Sequence, residues 1–329
     1  MAPQTTLAHS DSPAGDKVED FRIIAGTYER LLYGIDAFWT DAGSSHQPAS
    51  ETSQEAPAPP APITLTPVFI YPSHITCIKC LATTGRFLAT GSTDEHIKLY
   101  DLQIRKEIGS LMHHNGSITC LKFFKKSHLI AASEDGTISI VRTRDWELLS
   151  TLKGHRGAVD WIDIHPSGKV LLSVARDGLL KVWDMAKAVC AHSTKLPKPA
   201  ERVCWSPDGD YHAVLMDRVV QISDVDSGEV VGKIEGIGKI TTLAFVRLGD
   251  AAGALGEGVD ATSQVVLTGG EDKTVGVWSL QGRCLARWDT GHGFRVKDLH
   301  ALEGSPDSGV ARPTVIVTCS SDGGIRLWN

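Results

Sequence analysis

The chain has 329 residues, 42% of them hydrophobic and 22% charged, a balance that excludes wholesale disorder and suits a protein with a substantial core. Its formal charge of -6 argues against binding nucleic acid through net attraction and leaves that role only to a local basic patch. No apolar run approaches the roughly 18 residues of a membrane span, the opening MAPQTTLAHSDSPAGDKVED lacks the basic start and apolar core of an export signal, and the seven cysteines are read as reduced thiols of the cytosol or nucleus.

In chain order, the polar residues 1–20 are expected to be disordered. AGTYERLLYG follows, with Tyr28 and Gly34 marking a degenerate first copy of a repeat that is clearer downstream. Residues 40–62, rich in Pro, Ala and Ser, are expected to form a disordered insertion. From residue 73 a two-part pattern recurs. Its first part is a short strand-like segment: SHITCI, GSITCL, GAVDWI, ERVCWS, GKITTL and FRVKDL, centred on Ile75, Ile118, Val159, Val203, Ile240 and Val296. Its second part is an aspartate followed six residues later by an aromatic or its substitute: Asp94 and Tyr100, Asp135 and Val141, Asp177 and Trp183, Asp217 and Ser223, Asp272 and Trp278, Asp322 and Trp328. Between each pair lies an alternating run such as GTISIV or GLLKVW, the mark of a half-buried strand. Outer strands are expected at KEIGSLMHH, WELLSTLKGH, GEVVGKIEG and GRCLARWDT, with turns at TTGR, HPSGK and SPDG. Further insertions are expected at 247–263 and 302–313.

Seven units, three consecutive spacings of which lie near 41 residues, with four short strands in each, predict an all-β, seven-bladed propeller over 21–329. Such units cannot bury their apolar faces alone and must stack on their neighbours.

Gly154-His155, Asp177 and Trp183-Asp184 resemble a WD repeat. IIAGTYERLLYGID, ATGSTDEHIKLYDL, HHNGSITCLKFFKKSHLIAASEDGTI and HPSGKVLLSVARDGLLKVWD together resemble one subfamily, the p21-activated-kinase-interacting WD-repeat proteins and their fungal maintenance-of-killer counterparts. The resemblance implies a non-enzymatic protein-binding scaffold of the nucleus and nucleolus, acting in assembly of the large ribosomal subunit. Its implied partners are a ribosomal-protein-like assembly factor and pre-ribosomal particles, with negative regulation of p21-activated kinase as an alternative and direct RNA contact left open. A ubiquitin-ligase substrate receptor is a further alternative, though no adaptor-docking segment is evident. Family members usually continue beyond the last WD-like dipeptide. This chain is therefore expected to be a shortened product, its last unit lacking an outer strand and its first an inner strand before Phe21, so that the seam closes imperfectly.

Two sets of residues could be mistaken for chemistry. His155, Ser173, Asp177 and Trp183 contain a Ser-His-Asp combination, but the same types recur at His292, Thr318, Asp322 and Trp328, which predicts a structural hydrogen-bond network and no catalytic residue. Cys77 and Cys80 form a CxxC on a predicted strand, where residues three apart face oppositely, so no metal or other cofactor is expected. Cys77 and Cys120 are read as equivalent buried positions. His114 is read as the repeat histidine beside an exposed His113, and KFFKK at 122–126 as a solvated strand end. By family geometry the protein-binding rim takes Arg176, Arg202, Lys239, Arg295 and Lys297 as a cationic sector. Beside it lies a neutral-to-acidic sector with Glu134 and Asp160, to which His74 and Thr76 are also assigned.

Overall fold

The computed structural model of the chain describes residues 5–8, 21–39, 63–247, 264–302 and 314–328. They form seven small antiparallel sheets, each a meander in chain order. Blade one is Thr5–Ala8, Phe21–Gly26, Leu31–Trp39 and Ile63–Pro72; blade two is Ile78–Thr84, Phe87–Ser92, Ile97–Asp101 and Lys106–Leu111. Blade three is Ile118–Phe124, His128–Ser133, Thr137–Arg142 and Glu147–Lys153; blade four is Val159–Ile164, Val170–Ala175, Leu179–Asp184 and Val189–Lys195. Blade five is Arg202–Trp205, Tyr211–Met216, Val219–Asp224 and Val230–Glu235; blade six is Ile240–Arg247, Gln264–Gly270, Thr274–Trp278 and Cys284–Asp289. Blade seven is Val296–Leu302, Val315–Ser320 and Ile325–Trp328. Each inner strand packs against the inner strands on both sides, from blade one round to blade seven and back, so the sheets make a closed seven-bladed propeller.

Burial varies with distance from the axis. The second strands, such as Val170–Ala175, are buried along almost their whole length because a neighbouring blade covers each face, and they read as continuous apolar runs. The outer strand Val189–Lys195 is exposed throughout. Between blades the apolar faces interlock. Ile130, Ile138, Leu152, Val159, Ile162, Leu171 and Trp183 form the cluster that joins blade three to blade four. Each such side chain contributes about 1.5–3 kcal/mol on burial.

Three expectations change. The N-terminal segment is not wholly without structure: Thr5–Ala8 pairs with Phe21–Gly26, in register Thr5 with Ala25, and supplies the inner strand that blade one was expected to lack. The ring is closed at the junction of blades seven and one by Phe21, Ile23, Ala37, Val315 and Val317. Among the described residues only the outer strand of blade seven is absent, as expected. The insertions at 40–62, 247–263 and 302–313 lie outside the described residues, apart from Arg247 and Leu302, which end strands. In the degenerate first copy, a Cβ at Gly34 would stand 2.3 Å from the Phe69 ring, so the side chain expected at this position is replaced by one from the outer strand.

Candidate functional site

The repeat aspartates and histidines form braces inside single blades. In blade four the Trp183 indole N–H donates to Ser173 Oγ at 2.8 Å, Ser173 Oγ meets His155 Nε2 at 2.7 Å, and His155 Nδ1 meets Asp177 at 2.9 Å. Asp177 also accepts the amides of Arg156 and Leu179, at 3.0 Å each. Burial pushes the His155 imidazole below its ordinary pKa despite the bonds from Asp177. A neutral ring that donates from Nδ1 must accept at Nε2, so the Ser173 hydroxyl donates to it. That arrangement mimics a nucleophilic triad, yet Ser173 is 0% exposed and its oxygen is already taken by the indole, so no substrate can reach it.

Other blades vary the brace. In blade two His74 bonds Asp94 at 3.0 Å and Thr90 at 2.7 Å, with Tyr100 in place of tryptophan. In blade three His114 reaches Asp135 and Ser139, confirming it as the repeat histidine. In blade seven Thr318 joins His292 and Trp328, at 3.0 and 3.1 Å, but His292 Nδ1 stands 3.7 Å from Asp322 and finds no hydrogen-bond partner. Blade six has Gly236 where the histidine would be, and the Arg287 guanidinium bonds Asp272 instead.

The channel mouth is built by a regular irregularity. In blades two, three, four, six and seven the inner strand skips one residue in its pairing, at Lys79, Thr119, Asp160, Thr241 and Lys297. Bulges of this kind re-aim a side chain. All five line a cavity of about 590 Å³ at one end of the axis, joined by Glu134, Arg176, Glu201, Arg202, Lys239 and Arg295.

The next residue along each inner strand pairs with the penultimate residue of the second strand: Cys80, Cys120, Trp161, Arg202, Thr242 and Asp298. Arg202 therefore belongs one layer below the rim, correcting its expected place. Its guanidinium bonds Asp298 at 2.9 Å, two blades away, and also Thr242 Oγ1 and the Lys297 carbonyl. It lies 4.2 Å from the centre of the Trp161 ring. Burial raises the Asp298 carboxyl, but the charge of Arg202, the nearby His300 and the hydrogen bonds it accepts together hold the group below the usual carboxylate range. One part-buried side chain thus ties blades four to seven together.

The same register corrects other expectations. The centre of the second unit is Ile78, 1% exposed, and not Ile75, 74% exposed. His74 is a brace residue, and the missed rim residue of that blade is Lys79. Cys80, not Cys77, is the counterpart of Cys120; their sulfurs reach carbonyls of the next blade, at 3.6 and 3.7 Å, while Cys77 faces Thr93. The centre of the fifth unit is Ala200, not Val203, and Glu201 is its rim residue. Asp217 is no repeat aspartate: it sits at φ 59° in a two-residue turn. Placing the second unit by its histidine and the fifth by matching SPDG to HPSG would have revealed both shifts.

Of the remaining expected rim residues, Arg176, Lys239, Arg295, Lys297, Glu134 and Asp160 do meet at the mouth, but not in opposed sectors. Arg176 pairs with Asp160 at 3.1 Å and Glu134 at 3.3 Å, Lys79 with Glu134 at 2.9 Å, Lys239 with Glu201 at 2.5 Å, and Arg295 with Glu271 at 3.4 Å. Lys297 enters no ion pair among the described residues, and burial with the neighbouring Arg295 charge holds its ammonium below the ordinary lysine value. Next in the chain to Arg295 and close before Lys239 stand two apolar side chains that sequence reasoning missed, Phe294 at 62% and Ile237 at 75% exposed. Their positions carry no periodic signal, since both lie in turns before inner strands.

Comparison with known proteins gives matches to the WD domain, G-beta repeat, at residues 65–101, 105–141, 146–184 and 282–329. The chain is 32% identical to p21-activated protein kinase-interacting protein 1-like of Danio rerio, over 95% of this chain and 74% of that protein. It is 31% identical to p21-activated protein kinase-interacting protein 1 of Homo sapiens, over 93% and 69%. It is 37% identical to Protein MAK11 of Saccharomyces cerevisiae, over 68% and 56%.

Proposed function

The chain belongs to the WD-repeat family of p21-activated protein kinase-interacting proteins, and from that premise we propose that it is a non-enzymatic scaffold for assembly of the large ribosomal subunit in the nucleolus, gripping a ribosomal-protein-like assembly factor at the channel mouth. The observation that carries the binding site is a mouth lined by Arg295, Lys297 and Lys239, with the exposed Phe294 one residue before Arg295 and the exposed Ile237 two before Lys239. Aromatic anchors next to arginine are the usual energetic centres of protein interfaces. The process rests on the resemblance of the AGTYE opening and the HHNGSITCLKF stretch to that subfamily. A second reading, a scaffold that binds and restrains p21-activated kinase, is favoured by the names of the animal relatives.

Purification of the tagged chain is expected to recover large-subunit precursor particles. A Phe294→Ala, Arg295→Glu variant is expected to lose them at an unchanged melting temperature. Recovery of the kinase without particles selects the second reading, and equal recovery by the variant removes the mouth from either.

A further inference from the structure

At the end of the propeller opposite the mouth, a groove of about 460 Å³ runs between blades three and four, walled by Phe124, Ile164, Met185 and Leu149. The sequence explains why it is open. At the junction of blades two and three, Trp146 fills the corresponding space and meets Phe87 edge-on, ring centres 5.3 Å apart. Trp146 is the residue before an outer strand, at φ 58°. Its counterpart in blade four is Ala188, at φ 54°. The counterpart of Phe87, first in its second strand, is His128. At the junction of blades four and five Trp205, the counterpart of Ile164 at the end of its inner strand, meets His165 with ring centres 4.8 Å apart. Trp146 and Trp205 stand at this end of the two adjoining junctions, and no tryptophan lines the groove between them.

The charge around the groove has one sign in excess. Lys169 lines it, and Lys125 stands at its edge with Nζ 5.4 Å from the Phe124 ring centre. Neither forms an ion pair among the described residues. Lys187 is exposed nearby. The nearest carboxylates are engaged: Asp145 and Glu147 pair with Arg142 at 2.6 and 2.5 Å, and Asp184 lies 3.8 Å from Lys187. The KFFKK run is therefore more than a solvated strand end. Lys122 pairs with Asp163 at 3.1 Å, Phe123 and Phe124 pack into two different blade junctions, and only its last two lysines face solvent.

We infer that this groove is a second docking site, which takes an extended segment of a partner protein with one large aromatic side chain, tryptophan or phenylalanine, flanked by aspartate or glutamate. The aromatic group occupies the space that Trp146 fills one junction away, and the acids lie over Lys125 and Lys169. An apolar floor with exposed Leu149 favours a peptide over an RNA backbone, which would leave that floor uncovered.

The probe is a fluorescein-labelled synthetic peptide with a single tryptophan between runs of glutamate, followed by anisotropy against the whole chain. Saturable binding is expected. Ala188→Trp should weaken it at least about tenfold, the loss expected when a central aromatic contact is blocked. The left-handed backbone at this position already carries tryptophan at its counterpart Trp146, so a melting curve like that of the unaltered chain is expected to show that the variant folds. Lys169→Glu with Lys125→Glu should also weaken binding, and the Phe294→Ala, Arg295→Glu mouth variant should not. No saturable binding, equal binding by the folded Ala188→Trp chain, equal binding of a peptide with alanine for tryptophan, or displacement of the peptide by a single-stranded RNA oligonucleotide would each overturn the assignment.

Discussion

Blades four and five are neighbours with the same four-strand plan, braced by different means. Blade four satisfies its buried polar groups internally, through Trp183, Ser173, His155 and Asp177. Blade five has Ser223, Val214 and Leu196 at the first three of these places, and its shortened turn omits the fourth. Val214 and Leu196 pack in one apolar cluster. Removing both partners of a buried hydrogen bond together is nearly neutral, whereas removing one is costly, which is why the brace vanishes as a set. Blade five instead sends Arg202 across the channel to Asp298 in blade seven. Local bracing stiffens one sheet, while the cross-channel pair fixes four sheets relative to one another.

The sharpest way to break this contrast is to cut each brace separately. Arg202→Leu takes from Asp298, 4% exposed, the guanidinium that bonds it, and should lower stability by about 3–5 kcal/mol. Adding Asp298→Leu should recover most of that loss, because the charge to be compensated is gone. Denaturant midpoints of the two variants decide the matter, and a loss below about 1 kcal/mol in the single variant would falsify the bracing role. Asp177→Ala is the next largest effect. It strips the acceptor from His155 and from the amides of Arg156 and Leu179, at a cost of about 1–3 kcal/mol. Asp217→Asn in blade five, at a turn position whose left-handed backbone asparagine also tolerates, should change stability by no more than about 0.5 kcal/mol.

How much of this was legible in the sequence follows from the same contrast. Blades held by His, Asp and Trp announce themselves, since a buried polar network needs fixed residue types at fixed spacing, and blades three, four and seven were readable for that reason, whereas the inner strand of blade two was placed three residues early despite its network. The repeat matches likewise cover 65–184 and 282–329 and leave blade five unmatched. Where apolar packing replaced the network, valine or leucine suffices, the spacing signal fades, and the unit was placed three residues out of register. That slip put Arg202 on the rim when it lies beneath it. The inner strand at Thr5–Ala8 was missed because its polar neighbours carry no alternation, and its pairing depends on Phe21–Gly26 waiting beside it. The mouth pairings were invisible because Lys239 with Glu201 and Lys79 with Glu134 join different blades.

The smallest expected effect isolates the histidines. His74, His114, His155 and His292 all have imidazoles held below their ordinary pKa, with burial the main cause and the aspartates only partly offsetting it. Other charges near them add to the depression: Lys98 for His74, His113 for His114, Lys181 for His155 and Arg326 for His292. A histidine whose folded pKa is depressed binds more protons when unfolded, so stability is fully present above the unfolded value of about 6.5 and falls as pH drops through it. The partner carboxyls Asp94, Asp135, Asp177 and Asp322 are held below their ordinary value, where burial raises them but hydrogen bonds and the imidazoles prevail. Their contribution is present above about 3.9 and is lost only as pH falls below it. Between about pH 6.5 and pH 4 part of the decline therefore reports the histidine braces, beside His212 in blade five and His300 in blade seven, which burial also holds below the ordinary value. His155→Gln should reduce the slope of the denaturant midpoint against pH in that window. An unchanged slope in His155→Gln would mean that the brace titrates no differently from the unfolded chain.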